Sequence, residues 1–290
     1  MSSSKAPTLV TLGLAGGQGK TTVALMVGRI LSRCGIPVLF VDADPQSSLS
    51  TFLGVKPSDD RPTLLEVLTK PAKRVPLYSA IHPVPQDENL FVIPANDELE
   101  EANHSLAASP MSISMLRNRL YQVDETVVAT DQVANNFGLI IVDPPPERSH
   151  LALTALGSGN YWVIPSEANI KGVQSLVRTK TLVESCQPHV QHGKFIGVIP
   201  FRARWVGLNP TTTTRESIEV MTEVVGAELM LPHLLDSDIY KRAINEQRLP
   251  RDLGNSELEY PLLALIERIR PALGRYSDMI PHFEKEVVLL

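Results

Sequence analysis

The segment Leu9-Val-Thr-Leu-Gly-Leu-Ala-Gly-Gly-Gln-Gly-Lys-Thr-Thr22 restricts what this chain can fold into more than any other. It runs from an apolar strand through a glycine-rich loop into a helix. Gly16, Gly17 and Gly19 lack a Cβ, so the loop can curl with its N–H groups inward, and the following helix brings its positive dipole end to the same point. Lys20 adds a full charge for β- and γ-phosphates, and the Thr21 hydroxyl suits Mg2+. The segment reads as a phosphate-binding loop. Position 14 is Leu where the general G-x-x-x-x-G-K-[ST] pattern wants Gly; the spacing fits the variant K-G-G-x-G-K-T-T, with Ala15 in place of that variant's first lysine.

Such a loop needs a sheet behind it, and the next segments supply one. Residues 22–33 read as a helix, and Pro37–Val41 is a short apolar run of the kind buried in a parallel sheet. Together they make a βαβ unit with the loop at the carboxyl end of its first strand. Asp42 and Asp44 follow the second strand and are expected to face different sides, one suited to orienting a water and the other to a magnesium-bound water. The alternative is an Asp-Pro turn that merely caps the strand. Phe137–Asp143 is another buried strand ending in one acid, the arrangement in which a carboxylate holds Mg2+ through water, and three prolines follow it.

The remaining pattern extends the sheet. Asn89–Pro94, Tyr161–Pro165 and Lys194–Pro200 read as strands. Residues 96–102, 112–123 and 173–186 read as helices, with an amphipathic helix around 262–269. Residues 56–85, broken by prolines and charges, read as a surface excursion with one helical piece at 63–68, and Arg117 and Arg119 as solvent-facing. The expected fold is α/β: a doubly wound, mostly parallel sheet flanked by helices, forming a single P-loop domain over residues 1–290.

With 43% hydrophobic residues in 290, the chain can bury a full core. Cys34 and Cys186 form no C-x-x-C pair, which argues against a disulfide framework or a metal cluster within the chain. No apolar run reaches the roughly 18 to 20 residues of a bilayer span. The polar start is unlike a signal peptide, so a cytoplasmic protein is expected. Formal net charge is −5, yet residues 168–215 hold seven basic residues (Lys171, Arg178, Lys180, Lys194, Arg202, Arg204, Arg215) against Glu184, a local +6 that leaves −11 elsewhere. That asymmetry suits a localised polyanion site as well as it suits a solvated helix face.

Taken in order, Gly16–Thr22, Val41-Asp-Ala-Asp-Pro-Gln46, Asn89–Asn96 and Ile141-Val-Asp-Pro-Pro145 resemble the motifs of the ParA/MinD family of deviant Walker-A ATPases, and the ParA branch fits better than MinD. The resemblance implies that the loop residues Gly16, Gly17, Gln18, Gly19, Lys20, Thr21 and Thr22 hold ATP, with Glu167 as a ribose-contacting acid and Pro200 also at the nucleotide. It implies that Thr21, Asp42 and Asp143 support Mg2+ and that Asp44 positions the lytic water. It also implies an ATP-sandwiched homodimer in which the loop's first lysine reaches the partner's phosphates. With Ala15 there, Lys171 is the expected substitute and Arg148 the second candidate. A ParA-like chain without that lysine resembles the subgroup that positions carboxysomes over the nucleoid, and plasmid or chromosome partition stands next. The family binds nonspecific DNA as ATP dimers and releases it on adaptor-stimulated hydrolysis; Arg202, Arg204, Lys241 and Arg242 lie where its DNA contacts fall. The acidic tail 281–290 disfavours a membrane-bound partner cycle. Other readings are a metabolic P-loop ligase resembling dethiobiotin synthetase, an iron-protein reductase subunit, for which the cysteines are lacking, and a hydrolysis-deficient scaffold.

Overall fold

The computed structural model describes residues 5–58, 60–121 and 133–281. Its centre is a seven-stranded sheet built from β1 (Thr8–Thr11), β2 (Val38–Asp42), β3 (His82–Val84), β4 (Asp87–Ile93), β5 (Leu139–Asp143), β6 (Tyr161–Glu167) and β7 (Lys194–Phe201). The order is β3-β4-β2-β5-β1-β6-β7, and every neighbouring pair is parallel except β3 with β4. The expected doubly wound sheet is therefore present. The carboxyl ends of β1, β2 and β5 lie side by side, where open α/β sheets bind ligands.

Alternation along the strands divides the apolar residues between two cores. Leu9, Val38, Phe40, Leu139 and Ile141 face one side, packing on α1 (Lys20–Arg33) and α10 (Tyr260–Ile269). Val10, Leu39, Val41, Ile140 and Val142 face the other, among residues of α3 (Leu64–Thr69), α6 (His150–Ser158) and α7 (Ile170–Cys186). Helix and sheet come very close at Gly28, where an added Cβ would fall 2.1 Å from the Phe40 ring. Only a residue without a side chain lets α1 lie this near β2. The predicted helix at 262–269 is α10, with Leu262, Leu265, Ile266 and Ile269 fully buried.

Residues 56–85 depart from expectation. They are not a surface excursion: Leu64, Val67, Leu68, Val75, Leu77 and Ala80 join the core, and β3 adds an antiparallel edge strand. A capping box in which the Thr63 N–H donates to Glu66 Oε2 at 2.9 Å starts α3, and the Leu64 N–H donates to the Pro94 carbonyl. The scattered apolar positions gain their value from this docking, which local periodicity does not reveal. Arg117 and Arg119, on α5 (Met115–Tyr121), are also less exposed than expected: Arg117 covers the Tyr121 ring and donates to the Ser158 carbonyl, and Arg119 donates to the Val75 carbonyl. Of the predicted helix 112–123, residues 122 and 123 lie outside the described residues, as do 282–290 of the tail.

Candidate active site

The glycine loop leaves β1 and enters α1 through Gly19, which sits in the left-handed region at φ 96°. An added Cβ there would lie 2.7 Å from the Phe201 ring, so glycine is required both by conformation and by space. Gly16 and Gly17 are exposed, and an added Cβ at either would meet nothing within 4 Å. Lys20 is 7% exposed and makes no ion pair among the described residues. Its ammonium donates to the Ala15 carbonyl at 3.5 Å. Burial pushes the Lys20 pKa down, while Asp143 and Asp44 pull it up. A buried cation without a direct counterion, beside an exposed glycine loop at a helix N-terminus, is matched to an anion.

The acids gather beside it. Parallel pairing of β2 with β5 sets Asp42 opposite Asp143. Both are buried, and burial with mutual repulsion pushes Asp42 up to about 7 against hydrogen bonds from Ser50 and Asp44 that pull it down. Burial likewise raises Asp143 to about 6, opposed chiefly by Lys20 and by the Thr21 hydroxyl. The Thr21 hydroxyl donates to Asp143 Oδ2 at 2.6 Å, and the Thr11 hydroxyl donates to Asp143 Oδ1 at 3.2 Å. Asp42 accepts from the Ser50 N–H at 2.8 Å, the Ser50 hydroxyl at 2.7 Å and the Asp44 N–H at 3.3 Å. Continued alternation would put Asp42 and Asp44 on one face, but strand β2 ends at Asp42 and a turn follows; Asp44 is half-buried, accepts from the Gln46 N–H at 3.0 Å and acts electrostatically on Lys20 and Asp143.

Among the described residues no three His, Cys, Asp or Glu side chains cage a metal by themselves. The oxygen donors of Thr21 and Asp143 nonetheless suit Mg2+, which takes few protein ligands and completes its shell with phosphate and water. Two neighbouring carboxylates raised above their usual range are also groups that a cation would return to the ionised form.

The outer residues are placed as follows. Thr22 is half-buried in the first turn of α1, and Pro200 is buried in β7 opposite Ser166. Glu167 ends β6; its N–H donates to Gln18 Oε1 at 2.9 Å and its carboxylate stands 3.6 Å from the Arg202 guanidinium. Lys171 lies exposed in the first turn of α7 and Arg148 is exposed beyond the prolines, neither in an ion pair among the described residues. The four residues expected at DNA already have acidic partners: Arg202 with Glu167, Arg204 with Asp236 at 2.9 Å, Lys241 with Asp238 at 2.8 Å and Arg242 with Glu246 at 2.6 Å. Three contributors escaped the sequence reading. Thr11 was readable as the last strand residue before the loop, whereas nothing local marks Ser50 or the Gln18 side chain.

Comparison with known proteins gives the family. The AAA domain family model matches residues 9–192. The maintenance of carboxysome distribution protein A of Synechococcus elongatus is 39% identical over 263 residues, 90% of this chain and 98% of that protein. A probable plasmid-partitioning protein ParA of Thermus thermophilus is 28% identical over 227 residues, 75% of this chain and 62% of that protein. The solved ATP complex of an aspartate-to-alanine variant of Cyanothece McdA, the carboxysome distribution protein A of that organism, superimposes with a TM-score of 0.83 at 36% identity, covering 92% of this chain and 97% of that one. The chain thus belongs to the ParA/MinD family of P-loop ATPases, within the subgroup of the carboxysome distribution protein A.

Proposed function

We propose that this chain is an ATP-driven dimerisation switch that positions carboxysomes on the nucleoid of the cytoplasm, the whole of residues 1–290 serving as one ATPase unit. The observation that carries the reading is the buried, unpaired Lys20 beside an exposed glycine loop and the Thr21–Asp143 hydrogen bond. The loop N–H groups from Gly16 to Thr22 and the Lys20 ammonium hold the triphosphate, with Glu167 and Pro200 toward the ribose and base. Thr21 and Asp143 hold Mg2+, and Asp42, anchored by Ser50, supports it through water. Magnesium, when bound, neutralises charge on the β- and γ-oxygens. Asp44, in the turn that follows Asp42, orients the attacking water.

Two such sites face each other in the ATP-bound homodimer. Ala15 offers the partner no charge, so the trans cation is Lys171, exposed and without an ion pair among the described residues. A cation supplied in trans contributes on the order of 10³ to 10⁵ in rate in phosphoryl-transfer enzymes, so Lys171→Ala should cut turnover by orders of magnitude.

The ATP dimer holds nonspecific DNA through Arg202, Arg204, Lys241 and Arg242 and releases it when a cargo-bound adaptor stimulates hydrolysis. Their present ion pairs do not oppose this. Exposed pairs contribute only about 0 to 1 kcal/mol, so a DNA phosphate can displace the carboxylate at small cost. The identity with the Synechococcus protein supports the carboxysome as cargo. No helix among the described residues is long and apolar enough to cross a membrane. The test is retention of ATP-loaded protein on a random-sequence duplex at low salt, with a log–log salt slope of about −0.9 for each phosphate neutralised. Equal retention with ATP and ADP, or none with either, would defeat the switch.

A further inference from the structure

The side chain of Gln18 turns inward, although its loop neighbours Gly16 and Gly17 are exposed. It is 3% exposed and spans the gap to the end of β6, where its Oε1 accepts the Glu167 N–H at 2.9 Å. Its amide nitrogen turns back to the Gly16 carbonyl at 3.5 Å. Strand β1 has ended at Thr11, so no strand remains on that side of β6 to take the Glu167 N–H. Gln18 supplies the missing acceptor, and with it a link between the phosphate loop and the turn that begins α7.

That turn has little slack. The Ala168 N–H donates to the Phe201 carbonyl at 2.7 Å, and the Asn169 N–H to the Glu167 carbonyl at 2.7 Å. Asn169 Oδ1 accepts the Gly172 N–H at 3.0 Å, capping α7, and the Ser166 hydroxyl donates to the Gly172 carbonyl at 2.8 Å. A Cβ on Gly172 would fall 1.8 Å from the Glu167 carbonyl oxygen, a measure of how tightly the turn closes. Lys171 is mounted inside this knot, its backbone fixed on both sides and its side chain exposed.

From this we infer that Gln18 is a positioning residue: its side chain ties the phosphate loop of one protomer to the turn that presents Lys171 to the other protomer's nucleotide. The inference rests on the reading that Lys171 acts in trans. Its added content is the coupling. A loop ordered by its own nucleotide holds Glu167, and through Asn169 and Gly172 it holds the lysine that the partner's site needs. An aliphatic residue of the same size at position 18 leaves the loop N–H groups in place for phosphate and removes only the tether. The effect therefore falls on the rate of the assembled dimer and not on nucleotide affinity.

The test compares Gln18→Met, Asn169→Ala, Lys171→Ala and the Gln18→Met/Lys171→Ala pair with the full wild-type chain. Phosphate release is followed against Mg·ATP concentration, and fluorescent N-methylanthraniloyl-ATP binding is measured on dilute protein. A neutral hydrogen bond of ordinary net worth corresponds to about fivefold in rate, so Gln18→Met should lower kcat about fivefold with KM and nucleotide affinity within twofold. Asn169→Ala loosens the same turn from its far side and should act in the same sense, which carries the test should Gln18→Met fail to fold. The double variant should be no slower than Lys171→Ala, because the tether acts only through that lysine. An unchanged kcat in folded Gln18→Met, or in Asn169→Ala where Gln18→Met does not fold, a KM that rises in step with the loss of rate, or a double variant showing the full product of the two losses would overturn the tether. If Lys171→Ala alone turns over at the wild-type rate, the trans-lysine reading falls and takes the tether with it; a slow Lys171→Ala beside a normal Gln18→Met removes the tether alone.

Discussion

Asp42 offers a quantitative test of the electrostatics at the base of the site. Its carboxyl is raised to about 7 by burial and by Asp143, against roughly 3.9 for an aspartate in an unfolded chain. Between those values the native state holds a proton that the unfolded state has released, so stability contributed by Asp42 is intact below about pH 4 and is lost as pH rises to 7. The difference of about three pH units corresponds to about 4 kcal/mol at pH 7.5. Replacing Asp42 by Asn removes that cost. The amide still accepts from Ser50 through one oxygen but opposes the Asp44 N–H with its NH2, a loss of about 1 kcal/mol. The net gain of about 3 kcal/mol corresponds to about 5 °C in melting midpoint for a chain of this size. Thermal melts of wild type and Asp42→Asn without nucleotide or metal, at pH 7.5 and pH 4.5, measure it. The variant should melt higher at pH 7.5 and lose its advantage at pH 4.5. A gain independent of pH, or a variant less stable than wild type at pH 7.5, would refute the assignment of a strained carboxylate pair.

Gly19→Ala places a Cβ at φ 96° and 2.7 Å from the Phe201 ring; it should cost about 2 kcal/mol in stability and abolish nucleotide binding, read by melting and by fluorescent ATP titration. Arg29 is buried in α1 and donates to the carbonyls of Ala243 at 3.1 Å, Phe52 at 3.3 Å and Arg248 at 3.5 Å. Arg29→Met strands those acceptors, and a loss of about 3 kcal/mol should lower the melting midpoint by about 5 °C. Lys241→Ala should lower the DNA salt slope by about 0.9 while leaving ATP-dependent dimerisation unchanged, measured by filter binding and light scattering.

The parts of the molecule that local chemistry determines were legible in the chain. The glycine loop, the apolar run before Asp143 and the strand ending at Asp42 announce themselves because strand, turn and helix each follow from a few adjacent residues. What escaped depends on long-range docking. Residues 64–80 reach the core where α3 docks on the end of β4, its Leu64 N–H donating to the Pro94 carbonyl far along the chain. Ser50 meets Asp42 across a turn and a helical segment, and Gln18 meets Glu167 only once β6 lies beside β1. The pairings at the basic residues divide the same way. Lys241 with Asp238 and Arg242 with Glu246 follow helical spacing and were readable, whereas Arg204 with Asp236 and Arg202 with Glu167 needed the fold.

The proposed loan of Lys171 from each protomer to its partner's site is open to complementation between two inactive variants. Lys171→Ala keeps Asp44 and its own phosphate loop, while Asp44→Ala keeps Lys171. Mixed in equal amounts, they pair at random, half of the dimers are mixed, and each mixed dimer contains one complete site. Steady-state phosphate release from the mixture should then recover to about one quarter of the wild-type rate, since a complete site regains its full trans-cation stabilisation. If the mixture stays as inactive as its two components, although light scattering shows that mixed dimers form on ATP, Lys171 does not act across the interface and the account is wrong.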